Sequence, residues 1–193
     1  MTHTRSCRSP SASGDESARS PRVEMSTPRV WTPGDTIATP LELYTCVVEP
    51  EWVDYNNHMT EAAYLTAFGW GSDALFTYIG DNDAYRAAGH SFYTAETHIV
   101  YERECYGGDP LKVDTLVLDV DHKRLHLHHT MYHGTTGTRL STTEQMLVHV
   151  DMNLGKACEI LPDVKRALDA IFDVHRHAPR PDDVGRVMKI RRK

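Results

Sequence analysis

Four strand-like segments follow one another between Ser91 and Asp151, with no helical pattern among them. Ser91 to Arg103, Leu111 to Asp121, Arg124 to His133 and Thr138 to Asp151 are separated by short turn sequences. These are Gly107-Gly108-Asp109-Pro110, Asp121-His122-Lys123 and Gly134-Thr135-Thr136-Gly137. Leu111, Val113, Thr115 and Val117, and later Met146, Val148 and Val150, recur with a period of two. That is the pattern of antiparallel strands with one buried face. An earlier run, Leu41 to Val48, alternates in the same way and stops before Pro50. A sheet of this kind must bury its apolar face against another layer.

The segment Thr60 to Ile79 is the natural cover. Thr60 suits an N-cap, Glu61 favours the first turn, and Gly80 is a C′ residue. Tyr64, Leu65, Phe68, Leu75, Phe76 and Ile79 fall on one stripe, so the helix is expected to be buried. Gly69 and Gly71 inside it imply close approach to the sheet, since each costs about 1 kcal/mol relative to Ala. Asp81 to Gly89 reads as a connector. Pro162 to His175 reads as a peripheral helix with Val164, Leu168, Ile171 and Val174 on its inner face. The expected organisation is a disordered extension over 1–38, one α+β domain over 39–178 and a solvated basic tail over 179–193.

The charge of −6 argues against nucleic acid as the main partner. No apolar run approaches the roughly 18 residues of a membrane span, and no signal-peptide core opens the chain. Four scattered cysteines without a C-x-x-C pair suit free thiols in a reducing cytoplasm.

Chemistry concentrates in Trp52-Val53-Asp54-Tyr55-Asn56-Asn57-His58-Met59-Thr60-Glu61, immediately before the long helix. Loops rich in Asp, Asn and His at a helix mouth collect catalytic groups. The same residue types also serve a plain Asx turn and N-cap. The chain has twelve histidines, among them His126, His128, His129 and His133. They lack Cys or acidic partners at ligand spacing, so they read as an exposed strand face or as part of a ligand-binding surface, and no metal is expected.

The element order and this loop resemble the hot-dog fold, an antiparallel sheet wrapped around a central helix. Trp52-Val53-Asp54-Tyr55-Asn56-Asn57-His58-Met59 resembles the W-V-D-x-N-G-H-M motif of thioesterases similar to 4-hydroxybenzoyl-CoA thioesterase. Tyr101 and Gly108-Asp109-x-Leu111-x-Val113 match that family's Y…G-D-x-L-x-V turn. Gly89 to Ile99, Lys123 to Leu127 and Glu144 to Asp151 resemble the betainyl-CoA thioesterases of carnitine breakdown. Asn57 stands where the family usually has Gly; Asn is the least costly replacement if the position needs a positive φ.

The resemblance implies an acyl-CoA thioesterase acting on a small acyl-CoA, foremost betainyl-CoA. The alternatives are another short or aromatic acyl-CoA, or acyl-CoA binding without catalysis. It assigns Asp54 as general base or nucleophile, with Asn56 and His58 to position it, the first-turn amides at Glu61 and Ala62 as oxyanion donors, and Glu96 as a second acid facing the pocket. No G-x-S-x-G elbow competes with this scheme. Trp52, Tyr55, Tyr64, Phe68, Trp70, Phe92 and Tyr93 are the aromatic candidates for recognising a quaternary ammonium, and Asn57 in the loop is a further substrate-binding candidate. Trp52 and Tyr55 are the hardest of these to explain by packing. Lys123, Arg124, Arg139 and the tail are candidates for the coenzyme A phosphates. No cofactor is implied. Proteins of this type pair their sheets into a homodimer or homotetramer, with sites at the subunit boundary.

Overall fold

A computed structural model describes residues 29–190. The expected disorder of 1–28 and the last three basic residues lie outside them. The elements in order are β1 (Leu41–Val47), a single 3-10 turn (Pro50–Trp52), α1 (Glu61–Ile79), α2 (Asp83–Ala87), β2 (His90–Tyr101), β3 (Pro110–Val120), β4 (Arg124–His133), β5 (Arg139–Asp151), β6 (Lys156–Ala157) and α3 (Pro162–His175). All strand pairs are antiparallel, in the order β1-β3-β4-β5-β2, with β6 added to the end of β5. Among the described residues no helix is long and apolar enough to cross a membrane.

The period of two builds the core directly. Val113, Val117, Leu125, Leu127, Met131 and Leu147 all turn to one face and are buried there. α1 lies across that face. Its near side, from Ala63 through Phe68 and Leu75 to Ile79, is buried, while Leu65 and Trp70 stay 44% and 45% exposed. Leu65 therefore leaves the expected stripe, and among the described residues α1 is covered on one side only. Gly71 has the expected reason to be Gly: a Cβ there would come within 3.1 Å of Val113 Cγ1. Gly69 faces open space, so close approach explains one glycine of the two. Gly80 ends the helix at φ 94°, its N–H bonded to the Phe76 and Thr77 carbonyls.

Three expectations need correcting. The 81–89 connector contains α2, which Asn82 starts by accepting the Ala84 and Tyr85 N–H groups on its side chain. The helix α3 packs beside the sheet by its expected residues Val164, Leu168 and Ile171, which share one apolar cluster with Leu75, Phe76 and Ile79 of α1, but one residue of the expected inner face changes. His175, and not Val174, completes its inner face. The reason is a gap in the sheet: β1 pairs with β3 only as far as Thr115. Beyond it, the Val117 N–H donates to His175 Nδ1 at 3.0 Å, and His175 Nε2 donates to the Ala38 carbonyl at 2.9 Å.

The third correction concerns both ends of the described chain, which are packed rather than free. The Trp31 N–H donates to the Tyr78 carbonyl at 2.8 Å, and Trp31 and Ile37 rest against the core. At the other end the 181–185 stretch covers the outer face of the sheet. Asp183 takes hydrogen bonds from His128 and Thr142, and the Gly185 N–H donates to Glu144 at 2.7 Å. His128 is thereby only 2% exposed. His129, on the inner face, is fully buried between Thr115 and Ser72. The expected exposed histidine face is absent because two different layers cover its two sides.

Candidate active site

The loop before α1 folds back on itself. Asp54 N–H donates to the His58 carbonyl at 2.9 Å, Asn57 N–H to the Asp54 carbonyl at 3.0 Å, and Val53 bridges Met59. Asn57 makes the reversal with φ 64°, and among the described residues it is the non-glycine residue with positive φ. The Met59 N–H to Cys105 carbonyl bond, at 2.9 Å, and a bridge between His58 and Tyr106 fasten the loop to the β2–β3 connection.

This geometry aims Asp54. Its Oδ1 accepts the N–H groups of Asn56 at 2.8 Å and His58 at 3.0 Å. Its Oδ2 has no hydrogen-bond partner among the described residues. Asn56 and His58 meet the carboxylate through their backbone N–H groups only; the His58 imidazole meets Tyr106 edge-on and approaches Glu104 at 3.7 Å. The loop is an Asx turn and a candidate site at once.

α1 starts three residues after His58. Thr60 makes no side-chain cap. Its carbonyl takes the N–H groups of Ala63 and Tyr64, which leaves those of Glu61 and Ala62 without partners among the described residues. They lie at the positive end of the helix dipole. Beside them is an open cleft of about 320 Å³ lined by Met59, Glu61, Tyr64, Tyr101, Glu102, Arg103 and Glu104. Tyr101 closes one wall by donating its hydroxyl to the Glu61 carbonyl at 3.2 Å. Burial pushes the Tyr64 hydroxyl above the ordinary tyrosine range, so it stays a proton donor, here to the Arg103 carbonyl at 3.1 Å.

Other expected residues fall elsewhere. Glu96 is exposed and does not face this cleft. A bulge between Thr94 and Glu96 breaks the alternation of β2. Phe92 and Thr94 point to the core face, whereas Glu96, opposite Met146, turns to the outer one. Phe68 is fully buried and Phe92 is 5% exposed, stacked on Phe76, so both are core residues. Tyr93 is exposed near the start of β2, and Tyr55 is 96% exposed at the loop tip. Trp52 packs against the core, contrary to expectation, and its carbonyl receives the Thr60 N–H. Arg124 and Arg139 are engaged by Asp121 and Glu102, which weakens their candidacy as phosphate ligands.

The cleft residues Tyr101, Glu102, Arg103 and Glu104 were visible only as a strand end and turn. The signal was present in the cluster of charge there, Glu102-Arg103-Glu104, where a hairpin needs none.

An antiparallel sheet wrapped on one helix is the hot-dog fold, and the class of enzyme built on it here, a thioester hydrolase, follows from the relatives of this chain. The family model of the thioesterase-like superfamily matches residues 48–168, and this chain belongs to that family. It is 40% identical over 149 residues to a curated betainyl-CoA thioesterase of Pseudomonas aeruginosa, covering 77% of this chain and 94% of that one. It is also 44% identical over 146 residues to an L-carnitine dehydrogenase/betainyl-CoA thioesterase of Agrobacterium fabrum. That match covers 76% of this chain and 30% of the longer protein. Among solved structures, a candidate thioesterase of Pseudomonas putida KT2440 superposes with TM-score 0.70 at 31% identity, covering 80% of this chain and 99% of that one. A Staphylococcus aureus protein in complex with CoA shares the fold, with TM-score 0.70 at 23% identity over 81% of this chain and all of that one.

Proposed function

We propose that this protein hydrolyses betainyl-CoA to glycine betaine and coenzyme A, a step of carnitine breakdown. The observation that carries this reading is the similarity to the Pseudomonas aeruginosa betainyl-CoA thioesterase over 94% of its length. Asp54 Oδ2 takes a proton from water as its oxygen attacks the thioester carbonyl. The negative charge that develops on the carbonyl oxygen is met by the Glu61 and Ala62 N–H groups. Collapse breaks the C–S bond, and the proton held by Asp54 passes to the departing thiolate, which leaves as coenzyme A and restores the carboxylate. No cofactor enters the balance. The quaternary ammonium of the acyl group has no N–H, so it is met by aromatic faces and carboxylates. Tyr64 and Tyr101 with Glu61, Glu102 and Glu104 supply both at the cleft. Arg103, without an ion-pair partner among the described residues, is the nearest cation for a coenzyme A phosphate.

The site works in a homodimer. The strand β2 is twelve residues long and, among the described residues, has β5 on one side only. An edge of that length pairs with a second copy, which carries strand residues such as Tyr93 and Glu96 toward the neighbouring loop. A coenzyme A substrate and free thiols at Cys46, Cys105 and Cys158 fit a cytoplasmic location.

The test compares betainyl-CoA with its neutral isostere, 3,3-dimethylbutyryl-CoA, and a panel of short acyl-CoAs, following free thiol. At least tenfold higher kcat/KM for the cation is expected. Equal rates remove the betainyl assignment and leave the hydrolase; no hydrolysis of any thioester leaves an acyl-CoA-binding protein.

A further inference from the structure

Three side chains that hydrolysis does not use meet at the end of β2 opposite the cleft. His90 opens β2, His149 lies near the end of β5, and Cys158 follows β6. Eleven residues of strand, roughly 35 Å, separate His90 from Tyr101. The register places all three on the core face. His149 opposes Phe92, His90 opposes Asp151 two residues on, and the Cys158 N–H donates to the His149 carbonyl at 3.0 Å. The Cys158 Sγ lies 3.3 Å from His149 Nδ1 and 3.9 Å from His90 Nδ1, and one ligand atom from each residue falls within 4.8 Å of the others.

We propose that His90, His149 and Cys158 form a binding site for a zinc-class divalent cation. The spacing carries it. Nitrogen at about 2.0 Å and sulfur at about 2.3 Å from a tetrahedral metal lie about 3.5 Å apart, which the two sulfur–nitrogen distances bracket. Two imidazoles and a thiol with no carboxylate select zinc, cobalt or copper over magnesium or calcium. Three protein ligands leave a fourth position for water.

The surroundings orient the donors. The rings of His90 and His149 stack at 5.5 Å and 9°. Tyr85 of α2 reaches His149 Nε2 at 2.7 Å, and its oxygen also accepts the Leu161 N–H at 3.4 Å. A hydroxyl serves as donor or acceptor. Without metal, Tyr85 donates to Nε2 while Nδ1–H faces the Cys158 carbonyl at 3.3 Å. With metal bound, Nε2–H donates to Tyr85 and Nδ1 is free to ligate, the arrangement usual for metal-bound histidine. The Cys158 thiol proton is released to solvent as its sulfur–metal bond forms. The bound ion ties the start of the edge strand to β5 and to the segment leading into α3. Ligands at 90, 149 and 158 form no short motif, which is why spacing along the sequence suggested no metal.

The full-length protein, stripped with a chelator, is titrated with Co²⁺ and then with Zn²⁺ against a chromophoric chelator. One cobalt per chain with a thiolate-to-cobalt charge-transfer band is expected, displaced by Zn²⁺. Because His149 is fully buried and its replacement risks misfolding, the variants are Cys158→Ser and His90→Ala, with far-ultraviolet circular dichroism as the fold control. Each is expected to keep the fold and weaken zinc at least tenfold, and Cys158→Ser to abolish the band. A wild type without the band, or zinc affinity unchanged in either variant, overturns the site.

Discussion

Asp54 shows how one residue serves fold and chemistry through different atoms. Its Oδ1 closes the Asx turn, and its Oδ2 is the oxygen proposed to act on water. Asn retains an acceptor for the two amides but not a basic oxygen. Asp54→Asn is therefore expected to melt within a few degrees of wild type and to lose about 10²- to 10⁴-fold in kcat, the range of general-base catalysis. Steady-state kinetics and a melting curve check it; full activity removes Asp54 from the reaction. Asn57 is a purely conformational case. At φ 64°, Gly is accommodated and a β-branched residue is not. Asn57→Val is expected to cost about 1–2 kcal/mol in chemical denaturation and Asn57→Gly far less. Equal costs would mean that the loop rearranges.

At the scale of elements, the decisive features are the ones that interrupt regular patterns. The β2 bulge reverses which residues face the core and moves Glu96 outward. The 181–185 stretch turns an outer sheet face into a buried one. Burial alone raises the Asp183 carboxyl, but the Thr142 hydroxyl and His128 outweigh it and hold the group below its ordinary range. For His128, burial wins over the Asp183 charge and keeps the imidazole below its usual value. The pair is thus a carboxylate bonded by a neutral imidazole. A carboxyl whose folded pKa is depressed stabilises the fold above its unfolded value near 3.8, and that contribution is lost as pH falls through the folded value. Asp183→Ala, which also strips a partner from buried His128, is expected to cost about 1–3 kcal/mol at pH 7. The difference from wild type should narrow below pH 4, as denaturation at both pH values would show. A constant difference would assign the effect to packing.

For the whole molecule, the question is what meets the free side of β2. If the sheets join there, as proposed above, a dimer is the species expected in analytical ultracentrifugation. Ala95→Asp puts a carboxylate beside exposed Glu96 in the middle of that strand. Like charges brought together across an edge are destabilising. The variant is expected to shift toward monomer and lose activity in parallel, while the unchanged β2–β5 pairing keeps the fold. Monomers with full activity would remove the subunit boundary from the site.

The local elements were legible in the sequence. The range of α3 and the start and end of β4 match to the residue, because period-two and period-3.6 patterns, Pro162 and Gly80 are local signals. The Asp54 loop was legible too, since an Asx turn is written in adjacent residues. What only the tertiary structure decided depends on partners distant in sequence. The bulge that redirects Glu96 is a matter of register against β5. The burial of His128 and His129 depends on Asp183 and Ser72, 55 and 57 residues away. The same holds for the meeting of His90, His149 and Cys158. A pattern along one strand states which residues share a face; it does not state what is packed against that face.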